Sequence, residues 1–165
     1  MNKFIKELIY AYNKNKKTFI FIFLFRISHF LSSYKLTKLI GFPFRLFYII
    51  ISEYVYGVEI KDTTQIGYGL ILHHRGHGTV IGPAAIIGDY VSIRHNTTIG
   101  GVTYNGVGKR PKIGNNVEIG PGSCILGGII IGNNVKIGAN SVVVKDVPDN
   151  CIIAGNPAKI IRILE

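Results

Sequence analysis

The sequence predicts a β-solenoid, in which short parallel strands coil into a prism, and the evidence is a hexapeptide repeat with Gly and Asn at its turns. Within 113–143 an aliphatic residue returns at every sixth position, and Gly follows it in four of the five complete units. A period of six fits neither a helix nor an alternating strand, whereas fixed hexapeptides are typical of β-helices. Three units, about eighteen residues, would form one triangular turn, with Gly and Asn at corners that require positive φ.

The sixfold spacing starts at Ile60 and is interrupted twice. Three extra residues stand between Leu72 and Ile81, where the segment 73–78 reads His-His-Arg-Gly-His-Gly. Eight extra residues further on form a Gly-rich, basic loop, 103–112. Because regular coils need only stack, insertions between them are where function is expected. We therefore expect the functional site at these two insertions.

A helical region precedes the coils. Apolar residues three and four apart predict one helix within residues 1–16 and two more over 17–33 and 35–55. Gly41 and Pro43 would bend or restart the last of these. The predicted organisation is a helical region 1–56, a coil domain 57–150 that contains the loop 103–112, and a tail 151–165.

The net charge of +10 is concentrated in residues 1–52, which hold nine Lys or Arg and one acidic residue. Such an arm is typical of nucleic-acid or membrane binding, but this one is too apolar for nucleic acid. We expect helix packing or peripheral contact with the inner membrane surface, with headgroups facing Lys14, Lys16, Lys17 and Arg26. The arm has two apolar runs, 19–25 and 46–51, and neither reaches the roughly 20 residues that span a bilayer. No signal-peptide cleavage site is evident. A cytoplasmic protein is expected.

The histidine cluster of the first insertion is the strongest candidate for chemistry. A neutral imidazole with a pKa of about 6.5 can take a proton from a hydroxyl, most effectively when a carboxylate holds its other nitrogen. Glu59 precedes His74 by fifteen residues, close to one coil, so we expect it near that ring. No Cys is nearby and zinc usually needs four ligands, so no metal is expected. Alternatively, these histidines line a subunit interface.

The basic loop offers a second candidate. Its residues Lys109, Arg110 and Lys112 could hold a phosphate or carboxylate, or the loop could simply be solvated. It is not a nucleotide P-loop, because no Gly-Lys-Ser/Thr follows a strand. Cys124 and Cys151 match no metal spacing and form no disulfide framework, so ordinary thiols are expected.

Together, the repeat and its insertions resemble the hexapeptide-repeat acyltransferases. Within them the chain is most similar to the serine acetyltransferase group, and especially to its short exopolysaccharide members of the colanic acid biosynthesis type. The resemblance implies a left-handed parallel β-helix, a homotrimer, and direct transfer of acetyl from acetyl-CoA to a hydroxyl. It is carried by these segments: Val58–Ile60, Leu72–His74, Thr98–Gly101, Arg110–Ile113, Gly138–Val143 and Ala154–Ala158.

The resemblance also implies residue roles. His74 matches the catalytic base, and Glu59 matches the carboxylate that orients it. The groove for acetyl-CoA between adjacent subunits would involve the matching positions Gly101, Pro121, Ala139 and Lys159. The acceptor would be bound by His73, His95, Lys109 and Arg110.

Two departures from the serine acetyltransferase pattern bear on the acceptor. His73 replaces an acidic residue, and Lys109-Arg110 replaces Arg-His before the loop proline. The lost carboxylate favours the hydroxyl of a sugar or glycan over an amino acid, in extracellular or capsular polysaccharide synthesis. Serine O-acetylation for cysteine synthesis is the alternative within enzymes, and a non-catalytic solenoid scaffold is the alternative outside them.

Overall fold

The structure, a computed structural model, describes residues 3–33, 35–104 and 107–164. The described part of the first 55 residues is mostly helical, and a new helix begins after Gly41. A Cβ at Gly41 would lie 2.9 Å from the side chain of Leu31 in the preceding long helix, so the close approach of the two segments requires glycine there. The helices are α1 (Lys3–Lys14), α2 (Lys16–Ser33), α3 (Lys35–Ile40) and α4 (Phe42–Ile50), followed by a π-helical turn (Ile51–Val55).

Short strands form the rest of the described chain. Sheet 1 contains β1, β4, β7, β12 and β15, sheet 2 contains β2, β5, β10 and β13, and sheet 3 contains β3, β6, β11, β14 and β16. All of these strands pair in parallel, while β17 adds to sheet 3 antiparallel and β8 pairs only with β9. The strands are β1 (Val58–Ile60), β2 (Gln65–Ile66), β3 (Ile71–Leu72), β4 (Thr79–Ile81), β5 (Ile86–Ile87), β6 (Ser92–Ile93), β7 (Thr98–Gly100), β8 (Val102–Tyr104), β9 (Val107–Lys109), β10 (Lys112–Ile113), β11 (Glu118–Ile119), β12 (Cys124–Leu126), β13 (Ile130–Ile131), β14 (Lys136–Ile137), β15 (Val142–Val143), β16 (Cys151–Gly155) and β17 (Ala158–Ile163).

The chain visits the three sheets in turn, and the pairing offsets confirm the sequence arithmetic. Strands β10 and β13 pair with an offset of eighteen residues, which is one full turn. The offset is twenty-one between β1 and β4 and twenty-six between β7 and β12. The excesses of three and eight are the two predicted insertions, so both leave the coil above and below them in register.

The aliphatic residues of the repeat form the core of the prism. Ile81, Ile99 and Ile125 pair in register along sheet 1, and each is at most 1% exposed. Burying a side chain of this size stabilises a fold by about 1.5–3 kcal/mol. Phe21 and Phe25 of α2 belong to the same buried cluster, so the helices extend the core beyond the first coil.

Two of the three corners of the prism carry columns of residues with positive φ, which Gly and Asn adopt most easily. We call the turn between sheets 3 and 1 the histidine corner (73–78, 94–97, 120–123 and 138–141) and the turn between sheets 2 and 3 the asparagine corner (67–70, 88–91, 114–117 and 132–135). The positive-φ column of the histidine corner is Gly57, Gly78, Asn96, Gly122 and Asn140. That of the asparagine corner is Gly69, Tyr90, Asn116, Asn134 and Asn150. The turn between sheets 1 and 2, which carries the basic loop, we call the loop corner (61–64, 82–85, 101–111 and 127–129).

Buried ion pairs fix the helices on the first coils. Arg26 pairs with Glu7 at 2.7 Å and donates to the carbonyl oxygens of Ile66 and Gly67. The expectation that Arg26 faces lipid is therefore wrong, because the Glu7 side chain is only 4% exposed and a buried carboxylate requires a cation. Lys14 and Lys16 are exposed as expected, whereas the side chain of Lys17 lies outside the described part.

Arg45 likewise pairs with Asp62, whose side chain is 5% exposed, with 2.5 Å between Nε and Oδ2.

Both thiols are free, with Cys124 half-buried and Cys151 buried, as predicted. Among the helices that the structure describes, none is long and apolar enough to cross a bilayer.

Candidate active site

The first insertion bends the backbone into a strained, exposed turn. His74 has φ 55° and ψ 35°, and Arg75 has φ 66° and ψ 6°, both in the left-handed region. A non-glycine residue held there costs on the order of 1–3 kcal/mol and is enriched at functional sites. Buried Gly76 closes the turn, where a Cβ would come within 3.1 Å of Val58 and Leu72. The insertion therefore presents the side chain of His74 to solvent at the histidine corner.

His95 lies one coil further along the same corner and contacts His74 directly. The ring centroids are 5.2 Å apart and the rings are nearly perpendicular, at 89°. The Nδ1 atom of His95 is buried without a hydrogen-bond partner within the described structure. Buried polar atoms are nearly always paired, so this nitrogen marks an unsatisfied position next to the predicted base.

Glu59 is the central residue of β1 and points out of sheet 1, opposite Val80. It lies close to the insertion, because the N–H of Gly78 donates to the carbonyl oxygen of Gly57 at 2.8 Å. Glu59, Gly57 and Gly78 line an open cavity of about 520 Å³. No hydrogen bond or ion pair joins Glu59 to His74 in the part of the chain that the structure describes. Catalytic hydrogen bonds often tighten only when the substrate binds.

His73 contacts the outer face of sheet 3, and its Nε2 lies 2.9 Å from the hydroxyl oxygen of Ser92. Burial lowers the pKa of His73, and the nearby charges of Arg94 and His74 lower it further. A neutral imidazole is therefore favoured at this position, next to the exposed His74.

Predicted cofactor positions follow the histidine corner downward from His95. The carbonyl oxygen of His95 accepts from Gly122, which follows Pro121, and that of Pro121 accepts from Asn140, which follows Ala139. Lys159 pairs with Ala154 near the end of β16. From His74 to the end of β16 the corner descends four coils, or about 19 Å at about 4.8 Å per coil.

The remaining predicted residues lie elsewhere in one chain. The loop corner contains three of them, all exposed: Gly101, Lys109 and Arg110. This corner lies at the other end of the sheet 1 strands from His74. A Cβ at Gly101 would come within 2.5 Å of the carbonyl oxygen of Lys109, so glycine is needed where the two arms of the loop meet. Residues Asn105 and Gly106 of the predicted loop lie outside the described residues.

Sequence reasoning missed the contribution of α1 and of Tyr90 to the surroundings of His73. Tyr90 has φ 57° at a corner position where the following coils have Asn116, Asn134 and Asn150. Aligning the hexapeptides would have revealed this exception. The described residues include no group of three His, Cys, Asp or Glu side chains arranged to hold a metal ion.

The three-sided coil of parallel strands agrees with the β-helix expected from the hexapeptide resemblance. The family model for the bacterial transferase hexapeptide (six repeats) matches residues 110–145. Serine acetyltransferase 2 of Arabidopsis thaliana is 46% identical over 115 residues, which are 70% of this chain and 35% of that protein. The putative colanic acid biosynthesis acetyltransferase WcaB of Escherichia coli is 39% identical over 140 residues, which are 82% of this chain and 85% of that protein.

Solved structures agree with this grouping. The serine acetyltransferase of Brucella abortus in complex with coenzyme A has a TM-score of 0.81 at 30% identity, covering 98% of this chain and 67% of that chain. The chain belongs to the hexapeptide-repeat acetyltransferases, which confirms the resemblance drawn from the sequence. It spans only about a third of the length of the plant serine acetyltransferases that it matches.

Proposed function

We propose that the protein is an acetyl-CoA-dependent O-acetyltransferase in which His74 is the general base. The observation that carries this proposal is the placement of His74, on a strained turn at the head of the corner that Pro121 and Ala139 follow. Acetyl-CoA would lie along that corner with its thioester towards His74. The coil would wind in the left-handed sense that the family resemblance implies.

The reaction would be a direct transfer. His74 removes the proton of the acceptor hydroxyl while the hydroxyl oxygen attacks the thioester carbonyl. Collapse of the tetrahedral intermediate expels the CoA thiolate, which receives that proton from His74. The backbone N–H of Gly76, or that of Gly101 from a neighbouring subunit, would stabilise the oxyanion. Glu59 would orient the imidazole once substrates close the site, since it is not bonded to His74 in their absence.

A complete site would form between the subunits of a homotrimer. The loop residues Lys109 and Arg110 lie across sheet 1 from His74 in one chain. A single small ligand would contact both His74 and these loop residues only if the loop came from a neighbouring subunit. Light scattering should therefore give a mass three times 18.2 kDa.

L-Serine is the acceptor that the comparisons favour. The Arabidopsis and Brucella proteins are both named serine acetyltransferases, and the Brucella structure covers nearly the whole of this chain. L-Serine is therefore the first acceptor that we propose.

A sugar or glycan hydroxyl is the second candidate, and two observations favour it. His73, a neutral imidazole next to the base, stands where the serine enzymes have an acidic residue. A relative that this chain spans over 85% of its length is named for colanic acid biosynthesis.

Thiol release from acetyl-CoA tests the activity and the acceptor together. We expect thiol release with L-serine, with sugar nucleotides or with lipid-linked glycans. The compound that supports release identifies the acceptor. Calorimetry with coenzyme A should show binding. No release with any arm and no binding of coenzyme A would contradict the proposal and favour a scaffold.

The proposed location is the cytoplasmic face of a membrane, with the helices in peripheral contact. Arg26 and Arg45 are each paired with a carboxylate, so the uncompensated charge of residues 1–52 is carried by lysines. Lysines beside exposed apolar side chains are typical of helices that lie on anionic lipid. The exposed apolar side chains include Ile5, Ile9, Tyr12, Ile20, Phe23, Phe30, Phe42, Leu46 and Phe47.

Co-sedimentation with vesicles tests this contact. We expect the protein to sediment with vesicles that contain phosphatidylglycerol and not with neutral phosphatidylcholine vesicles. Ile9→Ser should weaken the binding, whereas Ile130→Ser, which changes an equally exposed residue of sheet 2, should not. Equal sedimentation with both kinds of vesicle would argue against the contact.

A further inference from the structure

A cavity of about 430 Å³ lies between α1 and the outer face of sheet 3. Its wall on the helix side is formed by Tyr10 and Lys14, and its wall on the coil side includes His73, Ser92 and Asn116. The volume is in the range of about 300–1,000 Å³ that is typical of small-molecule sites. Because His73 is the neighbour of His74 in the chain, a ligand in this cavity would lie close to the proposed base.

The charge around the cavity favours an anion. Lys14 is exposed and forms no ion pair with any residue that the structure describes. Arg94 is close enough to His73 to lower the pKa of its imidazole. Glu118, the acidic residue of the lining, is already paired with Lys136 at 3.0 Å. A ligand would thus meet the Lys14 ammonium and a neutral imidazole, with the charge of Arg94 nearby.

Tyr90 indicates that this wall is more than a regular piece of the coil. It is held at φ 57° with its ring 5.4 Å from that of Tyr10 and 5.6 Å from that of Tyr68, in edge-to-face contacts. A bulky residue in this conformation is an outlier that the surroundings must enforce. In the coils below, the same column consists of asparagines.

The asparagines of that column are linked side chain to side chain, from Asn116 to Asn134 and from Asn134 to Asn150, at 3.2 and 2.7 Å. Tyr90 ends this ladder. The Oδ1 atom of Asn116 is consequently left without a partner among the described residues, at the edge of the cavity. It can accept a hydrogen bond from a ligand hydroxyl.

We propose that this cavity is the acceptor subsite for an anionic group, a phosphate or a carboxylate, and for the hydroxyls next to it. The inference rests on the proposed acetyl transfer, because it places the rest of the acceptor beside the hydroxyl that His74 deprotonates. Lys14 binds the anion, with Arg94 adding to the positive field. The neutral ring of His73 and the amide of Asn116 hold hydroxyl groups. The source of the anion is either the carboxylate of serine or the phosphate of a sugar phosphate.

Calorimetry on the full chain tests the subsite with four probes: glucose 1-phosphate, glucuronate, unphosphorylated glucose and L-serine. We expect at least one anionic probe to bind more tightly than glucose. Lys14→Met should weaken that binding by about tenfold or more, the size of one charge-assisted hydrogen bond. Lys61→Met, an exposed lysine at the loop corner, is the matched control and should bind like the wild type. Glucose 1-phosphate and L-serine distinguish the two sources of the anion.

A second variant separates the subsite from a general charge effect. Tyr90→Asn extends the asparagine ladder by one coil and should keep the fold while weakening binding of the anionic probe. Equal binding by wild type and Lys14→Met, or no binding of any anionic probe, would overturn the subsite. If coenzyme A binds and acetyl transfer occurs in that case, only the subsite fails. If the probes bind through Lys14 but coenzyme A does not bind, the proposed acetyl transfer fails and the subsite stands.

Discussion

The upper and lower coils of this prism follow the same hexapeptide rule but use it differently. In the lower coils, from β10 to β15, the histidine and asparagine corners are regular, and the asparagine ladder runs without interruption. In the upper coils, from β1 to β7, the histidine corner gains a strained turn at His74 and the asparagine corner has Tyr90 in place of Asn. Both irregularities lie where the helices pack. We infer that the lower coils keep the register and offer a regular corner for the proposed acetyl-CoA groove, whereas the upper coils depart from the repeat at the proposed catalytic turn.

The largest expected effect on stability concerns the attachment of the helices to the upper coils. Arg26→Met removes the partner of Glu7, whose side chain is 4% exposed, and leaves a buried carboxylate unpaired. We expect a loss of about 3–5 kcal/mol in the free energy of unfolding, measured by urea denaturation.

The matched control lies on the lower coils. Lys136→Met breaks the pair with Glu118, whose two side chains are 50% and 58% exposed. Surface pairs contribute about 0–1 kcal/mol, so this variant should unfold close to the wild type. Equal losses in the two variants would show that the helices are not held by the buried pair.

A smaller effect is expected at the corners. Gly122 has φ 69°, and a Cβ there would overlap the side chain of Asn140 one coil below. Gly122→Ala should therefore lower the unfolding free energy by roughly 1–3 kcal/mol. Gly100→Ala is the control, since the nearest atom to its Cβ would be 3.9 Å away, at Leu126. Thermal melts of both variants measure the difference. Equal melting temperatures for Gly122→Ala and the wild type would contradict the steric role assigned to Gly122.

The smallest effect is a pH dependence of stability from His73. Burial lowers the pKa of its imidazole in the folded state, so the unfolded chain binds the proton more readily. Its contribution to stability is present above the unfolded pKa of about 6.5 and is lost as the pH falls through the folded value. The urea midpoint should fall less between pH 7.5 and pH 5 in His73→Gln than in the wild type. An identical fall in both would mean that His73 does not couple to folding.

The sequence predicted the periodic part of this molecule well, because a period of six fixes strand order, the offset of eighteen and the position of each insertion. It could not predict contacts between the helices and the coils. Arg26 is an example, since its partner Glu7 is nineteen residues away and its other partners are backbone atoms of the coil. The six-residue period does not determine which side chains from distant parts of the chain pair with each other.

The candidate site was predicted in part for the same reason. His74, His95, Pro121 and Ala139 follow one corner because their spacing reflects the coil. The loop residues could not be placed relative to His74, because the period does not reveal how subunits meet. Glu59 lies near the insertion without bonding to His74, a detail of side-chain geometry that the spacing does not determine.

His74 is the proposed general base, so the turnover of His74→Ala is the most informative measurement on this site. Thiol release from acetyl-CoA with the productive acceptor should fall by about 10²–10⁴-fold in His74→Ala, the usual contribution of a general base. Light scattering should give the same oligomer, since the side chain is exposed and outside the core. His77→Ala, in the same insertion, is the matched control and should retain most of the activity. Near-normal thiol release by His74→Ala would contradict the account.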